Sequence, residues 1–362
     1  MIYHFVLNPM SGKSLKAAKK TVEEMTEKIR KACQKRQLSY RIYYTTSVGD
    51  ATEYVRSMIN TTQDRQRFIC VGGDGTINEI VNSAPSLPNI EFGVIPNGSG
   101  NDFVRNFTNT ELFSDIDAQI DGAPMALDLI KWNDSYCVNM INIGFDCSVV
   151  KEASRLKRFK FISPGLSYLF GVFIAVFKKY GTKMKLIFDD GEVIDTTLLL
   201  TAIANGRFCG GGFNSNPEAL LDDGIIDLAI IKKVSRFTFM GLLGAYKKGT
   251  YLSNKRAQKY ITYKRVSHFK MEFDGPIPIC VDGEIKGAKT IDFSVERKAL
   301  NFVIPKGSGI RYSNEADSED ANEAVADAKD TQVADVNETV ADAKDTQLAD
   351  ENGIFMSGTT EE

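Results

Sequence analysis

Apolar and polar positions alternate with two different rhythms along the chain. Over the first 125 residues, short apolar runs predict strands at 2–7, 41–45, 68–71 and 91–95. Between them, apolar residues recur every three or four positions and predict helices from 14, from 47 to 59 and from 76. Ser47 with Asp50, and Thr76 with Glu79, have the spacing of capping boxes at two helix starts. Strands that alternate with helices are typical of a parallel sheet covered on both faces.

After Pro124 the rhythm changes, because strands now follow strands. Strands are predicted at 126–132, 136–143, 184–188, 198–204, 225–231, 270–273 and 279–281, with helical stretches near 151–180 and 235–255. Turn pairs of the types Asn-Asp and Asp-Gly separate several of them. We therefore expect an α/β domain with a parallel sheet at 1–123 and an antiparallel β-sandwich domain at 124–312, whose last strand returns to the first domain.

The final segment, 313–362, differs from the rest in composition. Residues 322–335 and 337–350 are near copies with a 15-residue period, rich in Ala and Asp and poor in large apolar side chains. Such a segment buries too little apolar surface to offset its chain entropy, so we expect a disordered acidic tail. Its fifteen acidic and two basic residues mean that the overall net charge of -3 hides a body of +10. A basic body favours anionic partners: nucleotide phosphates, acidic lipid surfaces or nucleic acid.

Cysteine spacing and hydropathy indicate the compartment. Six cysteines are scattered without a CxxC pair, which argues against a zinc knuckle and against a disulfide framework. The first residues lack the basic and apolar regions of a secretion signal. The most apolar stretch, 159–177, contains a lysine, a proline and two serines, and is too polar to span a membrane. These patterns predict a cytoplasmic protein.

The turn after the first predicted strand, residues 8–14 (Asn-Pro-Met-Ser-Gly-Lys-Ser), ends like a Walker A loop. That motif is excluded, because it needs a glycine at position 7, where Leu7 stands. Gly12 and Lys13 still suit a phosphate, through backbone N–H groups and a cation. The alternative, an ordinary strand-to-helix turn, stays open.

Residues 72–76 (Gly-Gly-Asp-Gly-Thr) lie directly between a buried strand and a helix. Three glycines let the backbone turn sharply and let a ligand approach, while the helix N-terminus offers N–H donors to an anion. We interpret Asp74 as a carboxylate that holds a magnesium ion or its waters. Residues 96–102 (Pro-Asn-Gly-Ser-Gly-Asn-Asp) repeat the arrangement after the next strand, which predicts a ligand crevice at this edge of the sheet.

Two further segments have a plain structural interpretation beside the functional one. Residues 205–213 are rich in glycine and are followed by Asp223-Gly224, which a flexible loop and a hairpin turn would also explain. Residues 281–284 (Val-Asp-Gly-Glu) have the composition of a type I′ turn. His4 and His268 fall outside all five segments, so a histidine base is not expected.

Taken in order, the five segments resemble the bacterial lipid kinases of the diacylglycerol and sphingosine kinase superfamily, which is related to NAD kinases and phosphofructokinases. The resemblance covers residues 1–306. It implies a nucleotide-binding catalytic domain at 1–123 and a lipid-substrate domain at 124–312. The implied activity is magnesium-dependent transfer of the γ-phosphate of ATP to a lipid hydroxyl, with diacylglycerol as the leading acceptor and phosphatidic acid as the product.

The resemblance also assigns roles to individual residues. It implies that Glu284 is the general base, since a primary alcohol needs an acceptor for its proton, and that Asp74 lies beside the transferred phosphate. Ser99 stands where the family usually has threonine. The implied magnesium ligands are the carbonyls of Leu220 and Ile225 and the carboxylate of Asp223, with supporting carboxylates at Asp102 and Asp128. The implied ATP contacts are Asn8, Pro9, Gly12, Lys13, Thr45, Gly72, Gly73, Asp74, Gly75, Thr76, Ile77, Asn78 and Ser99.

The lipid side depends on residues 151–179, where seven Lys and Arg interleave with Leu and Phe. A basic, aromatic helix binds well at an anionic interface, so we expect peripheral association with the inner face of the membrane. The alternative is a helix that packs its apolar face on the sandwich core.

Other functions stay open. The acceptor could be a sphingoid base or another long-chain alcohol, and the chain could instead be a non-catalytic nucleotide-binding regulator whose acidic tail is the functional end. An NAD kinase is disfavoured by residues 281–284. The expected partners are ATP and a lipid at the membrane surface, without nucleic acid, and a homodimer is one option for assembly.

Overall fold

Strands and helices alternate through the first half of the chain. The structure, a computed structural model, describes residues 1–9, 15–144 and 181–312, and for 15–20 the backbone only. The predicted helix at 151–180 and the predicted disorder of 313–362 lie outside these residues. The elements are β1 (Ile2–Leu7), α1 (Leu15–Lys35), β2 (Ser39–Tyr44), α2 (Asp50–Ile59), β3 (Gln66–Gly72), α3 (Asp74–Val81), β4 (Ile90–Pro96) and α4 (Ile116–Ile120).

These four strands lie side by side in the order β2-β1-β3-β4. β1 pairs in parallel with β2 and β3, and β3 pairs in parallel with β4. Successive side chains of a strand point to opposite faces, so Phe68 lies in the core on one side of the sheet and Ile69 in the core on the other. Because both faces are covered, all of β3 is buried, and its residues 68–71 form a continuous apolar run after the buried polar residues Gln66 and Arg67.

The second half is built mainly from antiparallel strands. Its elements are β5 (Ala123–Trp132), β6 (Ser135–Cys137), β7 (Met140–Gly144), β8 (Thr182–Phe188), β9 (Val193–Ala204), β10 (Phe208–Cys209), β11 (Phe213–Asn214), β12 (Ile226–Lys232), α5 (Arg236–Lys247), β13 (Ile261–Val266), β14 (His268–Val281) and β15 (Glu284–Ile304). One face of β9 and β12 packs against α5, and the other face packs in a second core with β8 and β14.

β15 connects the two halves. This 21-residue strand pairs antiparallel with β14 and β5. Near its end it meets β4 in parallel, where Phe302 lies opposite Phe92. The hydrogen-bonded path therefore runs without a break from the antiparallel strands to the parallel ones. The boundary between 123 and 124 stays a prediction.

Both predicted capping boxes are wrong. α2 and α3 begin behind Gly49 and Gly73, and neither of these N-caps makes a side-chain hydrogen bond. Gly49 has a φ of 87°, a left-handed conformation that a glycine adopts without strain. Asp50 instead turns its carboxylate back to accept hydrogen bonds from the backbone and hydroxyl of Thr46.

Several predicted strand boundaries are also wrong. The predicted strand 136–143 is two strands, because the N–H groups of Val138 and Asn139 leave the ladder and donate to Asp282. The predicted strands 270–273 and 279–281 are parts of the single strand β14. No ranges are predicted for β13 and β15, since Lys and Arg interrupt their apolar alternation. No helix within residues 1–9, 15–144 and 181–312 has both the length and the apolar composition of a membrane span.

Candidate active site

Two glycine loops touch at the carboxyl ends of β3 and β4. A Cβ on Gly98 would stand 2.6 Å from the Cα of Gly73, so a side chain at this position would force the loops apart. The N–H of Asn97 donates to the carbonyl of Gly72 at 2.8 Å. Asn101 closes the second loop: its amide accepts from and donates to the backbone of Gly98 at 2.9 and 3.1 Å. The structure thus brings the predicted segments 72–76 and 96–102 together.

Asp74 and Asp102 face one another across these loops. A Cβ on Gly100 would lie 3.1 Å from Asp74 Oδ2 and 3.4 Å from Asp102 Oδ2, which means that both carboxylates converge on this glycine. Asp74 accepts hydrogen bonds from the N–H groups of Asp102 and Phe103 at 3.2 and 3.1 Å. Burial, reinforced by the Asp102 carboxylate, raises the pKa of Asp74 to about 6. The pair is therefore a site where positive charge would be stabilised.

The glycine-rich segment 205–213 also reaches this crevice. Asp102 accepts hydrogen bonds from the N–H groups of Gly211 and Gly212 at 3.0 and 2.8 Å, in the turn between β10 and β11. Gly211 and Gly212 have φ values of 81° and 106°, which only glycine adopts readily. Burial raises the pKa of Asp102, and these N–H donors oppose that shift.

The predicted ATP residues are divided among several environments. Asn8 follows β1 and donates to the hydroxyl of Thr76 at 3.1 Å, while the N–H of Thr45 donates to the carbonyl of Leu7. These residues line the same edge of the sheet as the two loops. Ile77 packs in the core beneath α3, and Ser99 is exposed. Gly12 and Lys13 lie outside the described residues.

Glu284 lies over the start of α3. Its Oε1 is 3.1 Å from the point where a Cβ on Gly75 would stand, so the absence of a side chain there makes room for the carboxylate. Oε2 forms an ion pair with Lys286 at 3.0 Å. The hairpin that carries Glu284 turns at Asp282 and Gly283, whose φ values of 45° and 88° are both left-handed. The type I′ turn predicted from the sequence thus also positions Glu284 at the crevice.

Asp282 has a structural role that the sequence did not predict. Its buried carboxylate accepts hydrogen bonds from Asn78 Nδ2 at 2.7 Å and from three backbone N–H groups, at 2.9, 3.1 and 3.0 Å. These backbone donors belong to Val138 and Asn139, between β6 and β7, and to Met140, the first residue of β7. Asp282 therefore ties the Glu284 hairpin to α3 and to the loop between β6 and β7. An aspartate in an Asp-Gly turn gives no sign of these partners in the sequence.

The predicted metal residues form a second cluster around Asp128. One oxygen of this buried carboxylate accepts from the N–H of Gly224 at 2.6 Å, and the other accepts from the N–H of Lys298 at 2.7 Å. Its own N–H donates to the carbonyl of Leu221. Asp128 thus holds the loop that contains Leu220, Asp223 and Ile225.

Asp223 is paired with Arg265, a residue that the sequence did not single out. Asp223 Oδ2 accepts from the guanidinium, and Oδ1 accepts from the N–H of Ile225 at 3.1 Å. Arg265 also lies 3.2 Å from the buried carboxylate of Asp227. Burial raises the pKa of Asp223, and it raises the pKa of Asp227 to about 6.

The residues of this cluster fit magnesium. Carboxylate and carbonyl oxygens are the ligands that a hard cation prefers, and each Asp223 oxygen keeps a lone pair after its present bond. Burial disfavours the charge on Asp223, so a nearby cation would be stabilised. Within the part of the chain that the structure describes, no three Asp, Glu, His or Cys side chains form a metal cluster. The fit therefore depends on the carbonyls of Leu220 and Ile225.

The two histidines lie in other environments. His4 is buried in β1, where its ring stacks on Phe68 with 4.4 Å between the ring centroids, and burial lowers its pKa to about 4. His268 lies between the carboxylates of Asp189 and Asp292, which raise its pKa. Among the described residues, the crevice presents carboxylates and backbone N–H groups, which are suited to proton acceptance and anion binding.

Two family models match consecutive parts of the chain. Residues 3–132 match the diacylglycerol kinase catalytic domain, and residues 139–304 match the YegS C-terminal NAD kinase beta sandwich-like domain. A diacylglycerol kinase of Staphylococcus saprophyticus is 30% identical over 304 residues, covering 83% of this chain and 94% of that protein. A diacylglycerol kinase of Staphylococcus carnosus is 28% identical over 306 residues, covering 83% and 94%.

A solved structure shows the same fold. A diacylglycerol kinase from Bacillus anthracis superposes with a TM-score of 0.64 at 20% identity, over 83% of this chain and 96% of that one. The two family matches follow one another along the chain, as the predicted two-domain order requires. The predicted resemblance and the β-sandwich-like second domain are confirmed.

Proposed function

Since this chain belongs to the diacylglycerol kinase family and is a lipid kinase, we propose that it phosphorylates diacylglycerol to phosphatidic acid. The observation that carries the proposal is the position of Glu284. Its carboxylate lies over Gly75, next to Asp74 in the chain and at the start of α3. A proton acceptor is thus held where the glycine loops offer N–H groups to phosphate.

ATP is proposed to bind along the carboxyl ends of β1 to β4. Gly73, Gly98 and Gly100 are partly exposed in the two touching loops, and a glycine lets a triphosphate come close to the backbone. Asn8, Thr45, Thr76 and Ser99 supply polar side chains near this edge, and Gly12 with Lys13 is proposed to complete the phosphate contacts. Because ATP is the donor, the proposed place of action is the cytoplasmic face of the membrane.

In the transfer step, Glu284 accepts the proton of the acceptor hydroxyl. The hydroxyl oxygen forms a bond to the γ-phosphorus, and the bond from that phosphorus to the bridging oxygen breaks, with the electron pair leaving on ADP. Lys286 holds the Glu284 carboxylate from its other oxygen, which restrains the base. Asp74 is proposed to lie beside the phosphates, and the raised pKa of its carboxyl group supports a position next to positive charge.

Magnesium is proposed to bind at Leu220, Asp223 and Ile225, held in place through Asp128. When bound, the ion supplies positive charge that braces the second half of the chain beside the nucleotide. The residues themselves keep the loop closed: Asp128 bonds to Gly224, and Asp223 bonds to Ile225.

The test is transfer of labelled γ-phosphate from ATP to a panel of lipids in mixed micelles with Mg²⁺. Wild type should label diacylglycerol, and Glu284→Gln should lower kcat by about two to four orders of magnitude with little change in the KM for ATP. Glu272→Gln is the matched control, because Glu272 lies on β14 and pairs with Lys185 far along the same hairpin. The control should keep wild-type activity.

Each other outcome changes a defined part of the proposal. Label on a sphingoid base or another long-chain alcohol, but not on diacylglycerol, would retain the mechanism and replace the acceptor. ATP binding without labelled product on any lipid would refute the proposed reaction. Full activity in Glu284→Gln would remove Glu284 as the base.

A further inference from the structure

The outer face of α5 is apolar although nothing in the described part of the chain covers it. Phe237 is 91% exposed and Met240 is 52% exposed, whereas Leu242 and Tyr246 on the opposite face are buried. Gly241 and Gly244 are exposed on the outer face as well. Since the two glycines add no bulk, Phe237 and Met240 are the side chains that project from it. A helix that is apolar on both faces needs an apolar environment on each.

The surroundings of this face are basic. Residues 228–271 contain eleven Lys and Arg and no Asp or Glu. One of the cations is next to the apolar pair, because Arg256 Nη2 lies 3.8 Å from where a Cβ on Gly241 would stand. The exposed members near α5 are Lys232, Lys233, Arg236, Lys247, Lys248, Lys255, Arg256 and Lys259. A projecting phenylalanine and methionine are thus set among cations with no acidic residue nearby in the sequence.

We propose that this surface, defined by Phe237, Met240 and the surrounding cations, docks on an anionic lipid bilayer. Phe237 and Met240 insert among the acyl chains, while the cations contact phosphate headgroups. The occupant is a membrane rather than an acidic protein segment because charge alone would not favour two exposed apolar side chains. The proposal deepens and rests on the proposed function, since an enzyme whose acceptor lies in a bilayer has to reach that surface.

The surface differs from the one that the sequence predicted at 151–179, which lies outside the described residues. In sequence terms α5 was predicted only as a helix near 235–255. Its exposed face is known only from the tertiary structure. Leu242 and Tyr246 are buried in the same core as Ala202 and Ala229, whereas Phe237 is exposed.

The experiment measures partition of the full-length protein onto sedimented vesicles, in the absence of ATP. Vesicles contain phosphatidylcholine alone or with phosphatidylglycerol. The Phe237→Ser/Met240→Ser variant should lower partition onto the anionic vesicles by about ten-fold or more, as expected for two apolar side chains. Lys255→Glu/Arg256→Glu should lower it too, and added salt should remove this second difference. Val48→Ser is the matched control, because Val48 is 86% exposed in the loop between β2 and α2. This variant should bind like wild type.

Because all the substituted side chains are exposed, the variants should unfold at the wild-type temperature. Equal partition of wild type and the Phe237→Ser/Met240→Ser variant would overturn the proposal. So would equal binding to neutral and anionic vesicles. A wild-type dimer that this variant abolishes, with vesicle binding unchanged, would assign the face to a second copy of the chain and would also overturn it.

The kinase assay separates this proposal from the proposed function. With a short-chain diacylglycerol dispersed in water, the Phe237→Ser/Met240→Ser variant should keep wild-type kcat, whereas on anionic vesicles its rate should fall. Loss of activity on the dispersed substrate would show damage to the site and overturn the docking role. If wild type phosphorylates no lipid, the proposed reaction fails while the vesicle partition still tests the surface.

Discussion

Replacement of Asp282 by asparagine tests how the Glu284 hairpin is held. Asp282 Oδ2 accepts from Asn78 Nδ2 at 2.7 Å and from the N–H of Val138 at 2.9 Å. Oδ1 accepts from the N–H groups of Asn139 and Met140 at 3.1 and 3.0 Å. The asparagine side chain has one acceptor oxygen and one NH₂ group. In either orientation the NH₂ group replaces an oxygen that accepts two hydrogen bonds, so two or more donors lose their acceptor.

The magnitude follows from these contacts. Each buried donor left unsatisfied costs about 1 to 3 kcal/mol, so with two such donors Asp282→Asn should lower the free energy of unfolding by about 2 to 6 kcal/mol. The measurement is urea denaturation at pH 7 of the variant and wild type. Asp274→Asn is the matched control on the same strand, because its side chain is 78% exposed and pairs with Lys183 at 3.6 Å. Its effect should stay within about 0.5 kcal/mol.

The same variant should impair phosphoryl transfer, because Asp282 precedes Glu284 by two residues in the turn that positions it. We expect kcat to fall more than the KM for ATP rises, under conditions in which the variant is folded. A loss of stability below about 1 kcal/mol would refute the reasoning, since it would mean that the buried donors find other acceptors.

Three further variants address the loops, the buried carboxylate and the metal site. Gly98→Ala places a methyl group 2.6 Å from the Cα of Gly73. The free energy of unfolding, measured by urea denaturation, should fall by about 1 to 3 kcal/mol, and the KM for ATP should rise. Gly287→Ala is the control and should change neither quantity, because the space around Gly287 is open. The pKa of Asp74 is raised from 3.8 to about 6, so its protonation stabilises the fold at low pH and this contribution is lost as the pH rises from about 4 to about 6. Asp74→Asn does not titrate, so its free energy of unfolding relative to wild type should rise by about 3 kcal/mol across that window; parallel stability curves would contradict this. Asp223→Asn should abolish any rise in Tm that Mg²⁺ produces in wild type, and an equal rise in both proteins would place the ion elsewhere.

Local sequence patterns predicted the strands, helices and turns that depend on the conformational preferences of neighbouring residues. The apolar run 68–71 of β3 and the left-handed turn at Asp282 and Gly283 are visible in the sequence itself. Burial on both faces and a positive φ each favour particular residue types. The motif order also indicated the family correctly. The helix starts were predicted less well from the sequence, because Gly49 and Gly73 are the N-caps in place of the polar residues that the spacing suggested.

Contacts between distant residues were decided by the tertiary structure alone. Asp102 meets Gly211 across 109 positions, Asp282 meets Met140 across 142, and Asp223 meets Arg265 across 42. Such pairs produce no recognisable sequence pattern, because each partner is an ordinary turn or strand residue in its own segment. The apolar composition of α5 was likewise readable, but only the packing of Leu242 and Tyr246 determines that Phe237 faces outward. Sequence patterns record what one segment prefers, whereas the site and the exposed face arise from the way the segments pack together.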